Sequence, residues 1–289
     1  MNLSLKARKA IITGANQGLG LEIAKEFLKA GADVALCARD EMRLNAVKES
    51  LSTLFPNQAI ITCKVDVASE EEVKNFISQA IFKLGRVDII VNNAGIYGPM
   101  GLLEEVSVKE WVQAIEINLY SVLYTLKYLL PHMKQNRYGK VINLSGGGAT
   151  NPLPRISAYA ASKAALVRLT ETLACECKDD GIDINAIAPG ALNTRLLDEV
   201  LEKGAESVGK VFYEKALKQK AEGGAPMDRA AELCVYLASA ESDGISGKLI
   251  SALWDQWPRF QEFKEELLSS DIYTLRRIVA EDRGKQWSL

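Results

Sequence analysis

The 289-residue sequence predicts a doubly wound α/β domain, a parallel sheet covered by helices on both faces. Three observations carry this prediction. Short apolar, β-branched runs alternate with amphipathic stretches along most of the chain. The first such run ends in a glycine cluster that opens directly into a helical pattern. A hydrophobic content of 48% with 25% charged residues supplies a sizeable core.

The elements follow in order. Lys9 to Thr13 is a strand, and a helix runs from about Leu19 to Lys29 after the glycines. Asp33 to Ala38, Ala59 to Val65 and Val87 to Asn92 are the next strands, separated by helices over Arg39 to Leu54 and Glu70 to Leu84. A long helix is expected from Val108 to Met133, then a strand over Lys140 to Leu144 and a helix over Ala158 to Lys178. Ile182 to Ala188 is the sixth strand, Asp228 to Ser239 a core helix and Lys248 to Leu253 the last strand. The stretch from Gly190 to Pro226 breaks the rhythm. Rich in Leu, Glu, Lys and Ala, it reads as one or two mobile helices beyond the carboxyl ends of the strands, where substrate lids sit. The chain therefore divides into residues 1–253, with a lid over about 191–226, and a C-terminal extension over 254–289. Trp254, Trp257, Phe260, Phe263, Tyr273 and Trp287 make that extension too aromatic for a disordered end, so it is expected to dock on its own subunit or a neighbour.

Charge excludes some partners. Lys+Arg 35 against Asp+Glu 37 gives a net charge of −2, and no basic stripe suggests nucleic acid. No apolar run approaches the roughly 18 residues of a membrane span, and from the mixed-polarity start no secretory leader is expected. The five cysteines are scattered and odd in number, which fits free thiols in a reducing, cytoplasmic location. Cys175 and Cys177 lie two apart on a helix and do not share a face, so no metal site is expected. His132, the single histidine, reads as a surface residue.

The chemistry lies in two motifs. Tyr159 and Lys163 are four apart on a helix and project from one face. A neighbouring ammonium favours a phenolate, which would bring the tyrosine toward neutrality as an acid–base group for carbonyl/alcohol interconversion. Thr13-Gly14-Ala15-Asn16-Gln17-Gly18-Leu19-Gly20 supplies the tight turn and close backbone approach that a dinucleotide pyrophosphate needs at a helix N-terminus.

With Asn92-Asn93-Ala94-Gly95 and Pro189-Gly190 in the same order, the TGxxxGxG and YxxxK patterns resemble the short-chain dehydrogenase/reductase family of classical type, over roughly residues 6 to 250. The resemblance implies one Rossmann-like domain and an oxidoreductase that moves a hydride between a nicotinamide and a carbonyl or secondary alcohol. It implies cofactor contacts from Gly14, Asn16, Gln17, Gly18, Leu19 and Gly20, from Asp66 and Val67 at the adenine, and from Asn92, Ala94 and Gly95. Pro189, Gly190 and Thr194 would hold the nicotinamide, and Lys163 would reach the ribose as well as Tyr159. Asn118 would kink the long helix and hold a proton-relay water. The family assembles as dimers or tetramers through the two long helices, so a homodimer or homotetramer is implied.

Cofactor choice turns on Cys37-Ala38-Arg39-Asp40. An acidic residue at the strand end would bind both ribose hydroxyls of NAD, but Ala38 stands there and Arg39 follows, which favours NADP over NAD. Gln17 and Asp40 weigh the other way. The family serine, thirteen residues before the tyrosine, falls on Gly146, with Ser145 one position early. Either the glycine-rich loop brings Ser145 to the substrate oxygen, or Ser145 is structural and a backbone N–H, Thr150 or the substrate replaces it. Arg155 reads as a loop arginine, with an anion-holding role as the alternative. Tyr97, Leu192 and Leu196 would line the substrate side. Two other readings stay open: an epimerase or dehydratase with transient hydride transfer, and a non-catalytic nucleotide sensor.

Overall fold

The computed structural model describes residues 3–287. The outer ends of the two expected segments, residues 1–2 and 288–289, lie outside it. Seven strands form one parallel sheet in the order β3-β2-β1-β4-β5-β6-β7. They are β1 (Lys9–Thr13), β2 (Asp33–Ala38), β3 (Ile60–Lys64), β4 (Ile89–Asn92), β5 (Gly139–Leu144), β6 (Ile182–Ala188) and β7 (Leu249–Ser251). Because successive side chains point to opposite faces, one run feeds two cores. Ile12, Val91 and Ile142 pack with Ile23 and Phe27 of α1 (Gly18–Lys29) and with Leu233 and Leu237 of α9 (Met227–Ala238). Ile11, Ile90 and Val141 face the other way, onto Phe76 of α3 (Glu70–Leu84), Leu126 of α5 (Ser121–Asn136) and Leu166 of α6 (Ser157–Glu176). Helix starts are set by short polar caps. Asp40 caps α2 (Glu41–Leu54), Ser69 caps α3 and Ser107 caps α4 (Val108–Ile115), each accepting a hydrogen bond from a first-turn N–H.

The single helix expected over 108–133 is three pieces. Between α4 and α5 lies a π-helical turn, Glu116–Tyr120, with Asn118 buried inside it. Periodicity does not reveal such a turn, because one extra residue per turn leaves an apolar stretch apolar. The last strand is shorter than expected, since a turn starts at Ala252. The lid is α7 (Arg195–Val208) and α8 (Lys210–Glu222), with left-handed backbone at Gly204 and Gly209 breaking the helices.

The extension lies against its own subunit. Trp257, Phe260 and Leu267 are buried in the core cluster that α1 and α9 share, and Tyr273 stacks on Phe260 with centroids 5.5 Å apart. Each such burial contributes on the order of 2 kcal/mol. Leu249 N donates to Tyr273 O (2.7 Å), and the buried Lys248 Nζ donates to Ser270 O and Ile272 O (2.9 Å each). Glu171 on α6 accepts from Leu275 N at 2.6 Å. The extension thus covers the outer edge of β7, which would otherwise present unpaired backbone groups.

His132 is half-buried, not a surface group: its Nε2 accepts a hydrogen bond from Val87 N at 3.2 Å, and burial lowers its pKa. Cys37, Cys177 and Cys234 are buried free thiols, Cys63 is partly buried, and Cys175 is exposed.

Candidate active site

A cavity of about 1150 Å³ runs along the carboxyl ends of the strands, from the start of α2 to the first residues of the extension. Parallel strands place such a crevice where the strand order reverses, here between β1 and β4. Of the residues expected at the site, all line this cavity except Asn92 and Asn118.

At one end the wall is backbone. Gly14 and Gly18 adopt left-handed φ of +65° and +54°. A Cβ on Gly20 would stand 2.4 Å from Gly14 O and 2.5 Å from Asn93 Nδ2, so the helix can approach the turn only because residue 20 has none. Gln17 at the N-cap of α1 makes no side-chain cap, which leaves the first N–H groups of the helix facing the cavity. Uncapped amides, left-handed glycines and an open crevice fit a pyrophosphate. Thr194, at the N-cap of α7, lies against this turn; a Cβ on Gly18 would meet its Cγ2 at 3.6 Å.

Arg39 lines the cavity at the end of β2, and Arg43 lies beside it with its guanidinium hydrogen-bonded to Gln17 Oε1. Sequence reasoning missed Arg43, although its spacing of four from Arg39 on a helix start was the available signal. Asp40 also lines the cavity, but as a helix cap. Its Oδ1 accepts from Arg43 N at 2.9 Å as the cap of α2. Asp66 Oδ1 accepts from Ala68 N (3.0 Å), which shapes the turn after β3.

Asn92 faces away from the cavity. Its Nδ2 donates to Asn143 Oδ1 (2.8 Å), and its Oδ1 accepts from Thr125 Oγ1 (2.9 Å), tying β4 to β5 and α5. Its neighbour Asn93, not singled out beforehand, lines the cavity and holds Thr13 O and Gly14 O through Nδ2. Asn118 clamps the turn after β4, with Oδ1 accepting from Ile96 N and Nδ2 donating to Ile96 O (2.9 Å each) and to Ser162 Oγ (3.0 Å).

Tyr159 and Lys163 share one face of α6 as their spacing requires, with Nζ 5.6 Å from the phenol ring centroid. Their electrostatics differ from the sequence expectation. Burial, and then Tyr97, push the Tyr159 phenol up rather than down. The Tyr97 ring meets it edge-on, 4.8 Å between centroids. Burial also lowers Lys163 to about 8, and its Nζ donates to Leu144 O at 2.6 Å. The ammonium is thus held by a carbonyl and weakened by its own desolvation, so it does not override the burial of the phenol. The phenol holds its proton, as an acid must.

Ser145 N donates to Ile187 O, while its Oγ is buried and makes no hydrogen bond. A Cβ on Gly146 would stand 2.3 Å from Tyr159 Oη. The position of the family serine is therefore filled by the tyrosine hydroxyl itself. Arg155 holds no cavity group; its guanidinium donates to Glu206 O at 2.9 Å, joining the loop before α6 to the lid. On the substrate side, Tyr97, Leu192 and Leu196 line the wall together with Leu153, Phe212, Trp254 and Asp255, which sequence reasoning did not single out.

A family model described as short chain dehydrogenase matches residues 8–205. The chain is 33% identical over 250 residues to a 7alpha-hydroxysteroid dehydrogenase of Escherichia coli, covering 86% of this chain and 94% of that one. A solved 7alpha-hydroxysteroid dehydrogenase complexed with NADH and 7-oxo glycochenodeoxycholic acid superposes with a TM-score of 0.77 at 31% identity, over 86% of this chain and 94% of that one. L-Sorbose reductase from Gluconobacter frateurii, complexed with NADPH and L-sorbose, gives a TM-score of 0.78 at 29% identity, over 87% and 97% of the two chains.

Proposed function

The chain belongs to the short-chain dehydrogenase/reductase family and is an oxidoreductase acting on CH–OH/C=O, and from that premise we propose that it is an NADPH-preferring carbonyl reductase whose proton donor is Tyr159. A bound nicotinamide supplies the hydride acceptor or donor; everything else falls to the protein. The glycine turn at 14–20 and the uncapped start of α1 hold the pyrophosphate, Asp66 and Val67 border the adenine, and Ala94, Gly95, Pro189, Gly190 and Thr194 border the nicotinamide end.

The phenol of Tyr159 gives its proton to the substrate oxygen in reduction. Lys163 Nζ restores the proton and, with a pKa lowered to about 8, exchanges it readily near neutral pH. Asn118 Oδ1 and Lys163 Nζ both lie beside Gly95, 3.1 and 3.6 Å from where its Cβ would be, so a water between them can complete the relay. Ser145 serves as wall, not as oxygen donor. Residues 1–253 act as the catalytic domain with 191–226 as lid, working in the cytoplasm as a homodimer or homotetramer.

The convergence of Arg39, Arg43 and Gln17 at the end of β2, where Asp40 is taken up as the cap of α2 and paired with Arg43, carries the NADPH preference. Titration with NADPH and NADH, followed by fluorescence transfer from tryptophan, tests it. NADPH is expected to bind tighter by about 10–100-fold, and Arg39→Ala and Arg43→Ala to erode that margin. Equal affinities, or a margin untouched by both variants, would remove this reading.

A further inference from the structure

The substrate end of the cavity has two unlike walls. The lid side is mixed, with Leu196, Phe212 and Ala216 among Arg195, Asp198, Lys215 and Gln219. Facing it is the turn Ser251–Asp255, where the extension begins. Asp255 is half-buried and lines the cavity, and its Oδ2 accepts from Ser251 N at 2.6 Å. Among the described residues the other carboxylate oxygen has no hydrogen-bond donor and no salt-bridge cation, and burial pushes its pKa up. Next to it, Trp254 also lines the cavity yet is 81% exposed, although an indole of that area is normally covered. Thr150 and Asn151, joined through Asn151 Nδ2 and Thr150 Oγ1 at 3.1 Å, line the same cavity.

A carboxylate with one free oxygen is an acceptor without a donor, and an open indole beside it is a flat apolar platform. A hydroxyl group on a ring or chain satisfies both: the O–H meets the carboxylate, and the adjoining C–H face lies on the indole. We propose that Asp255 determines specificity by accepting a hydroxyl of the substrate, so that the carbonyl compound reduced here carries a hydroxyl remote from the reacting carbon and packs on Trp254. This rests on the oxidoreductase reading above and deepens it.

The test compares 4-hydroxycyclohexanone with cyclohexanone as ligands of the NADPH-loaded protein, by calorimetry for affinity and by NADPH oxidation for turnover. The wild type is expected to favour the hydroxylated ketone by about 10–100-fold, the range of a charge-assisted hydrogen bond. Asp255→Asn, which keeps the acceptor for Ser251 N, is expected to bring the ratio close to one, and Trp254→Ala to weaken the hydroxylated ketone most. In both variants the NADPH dissociation constant stays as in the wild type. Equal affinities in the wild type, or a preference that survives Asp255→Asn, overturns the proposal. Tighter binding of 4-aminocyclohexanone overturns it in favour of an ammonium ligand. Loss of NADPH binding in the wild type is a different failure, which strikes the oxidoreductase reading itself.

Discussion

The two ends of the cavity are built by different means. The cofactor end is made of backbone: glycines at 14, 18 and 20, the uncapped start of α1, and the turn after β4, all fixed by the sheet. The substrate end is made of side chains borrowed from distant parts of the chain, the loop at 150–155, the lid and the start of the extension. Backbone geometry constrains residue type tightly, whereas a side-chain wall accepts many residues. Substitutions in the glycine turn should therefore damage fold and cofactor binding together, and those at the second end should change selectivity alone.

The largest effect is expected at the cofactor end. Gly20→Ala places a Cβ against a carbonyl oxygen and a side-chain amide that themselves hold the turn. Neither can retreat without opening the strand–helix junction. We expect a loss of about 3 kcal/mol of stability in urea unfolding and the loss of NADPH binding. Wild-type affinity in that variant would show that the helix approach is not what builds the site.

This contrast also explains what could be read from the sequence. The glycine turn and the Tyr159–Lys163 pair were legible because helix and turn geometry convert spacing into position. The two-sided core followed from the alternation of strands and helices, and the lid from the break in that rhythm after Gly190, whereas the strand order came only with the fold. Arg43 was legible only through its spacing from Arg39; its bond to Gln17 is made only in the fold. Asp255 and Trp254 were hidden for a similar reason: they lie about a hundred residues from Tyr159, and only the turn after β7 brings them to the cavity. A break at Asn118 was expected from the family resemblance, but not its π form, which alters helix phase without altering composition. The direction of the Tyr159 shift was misread from the pair alone, since burial by Tyr97 and by the loop at Gly146 outweighs one ammonium.

Between the two ends sits Lys163, whose function opposes its stability. A pKa of about 8 against an ordinary 10.5 means that the fold disfavours the ammonium, by about 3 kcal/mol at most. The sign follows from proton counting. Below about pH 8 both states are protonated and the full penalty is present. Between about 8 and 10.5 the unfolded chain binds more protons, so stability rises with pH. Lys163→Met is expected to be more stable than wild type at pH 7, with the gain shrinking by pH 9, while turnover is lost. An equal difference at both pH values in urea unfolding would refute the burial argument.

The smallest effect is expected at the lid. Arg155 adopts a left-handed φ of +67°, its carbonyl accepts from Gly101 N, and its guanidinium reaches Glu206 O just before the break at Gly209. A Cβ on Gly209 would touch Arg155 Cδ at 3.4 Å, so the arginine stem packs into the joint between α7 and α8. The bond is exposed and contributes roughly 1 kcal/mol. Arg155→Ala should therefore raise KM for the carbonyl substrate about fivefold, with kcat changed less and the NADPH dissociation constant unchanged. Hydrogen exchange over residues 195–222 should quicken in parallel. A change in cofactor affinity of the same size would mean that the two ends are coupled through Thr194, where the lid meets Gly18, and the separation drawn here would fail at that contact.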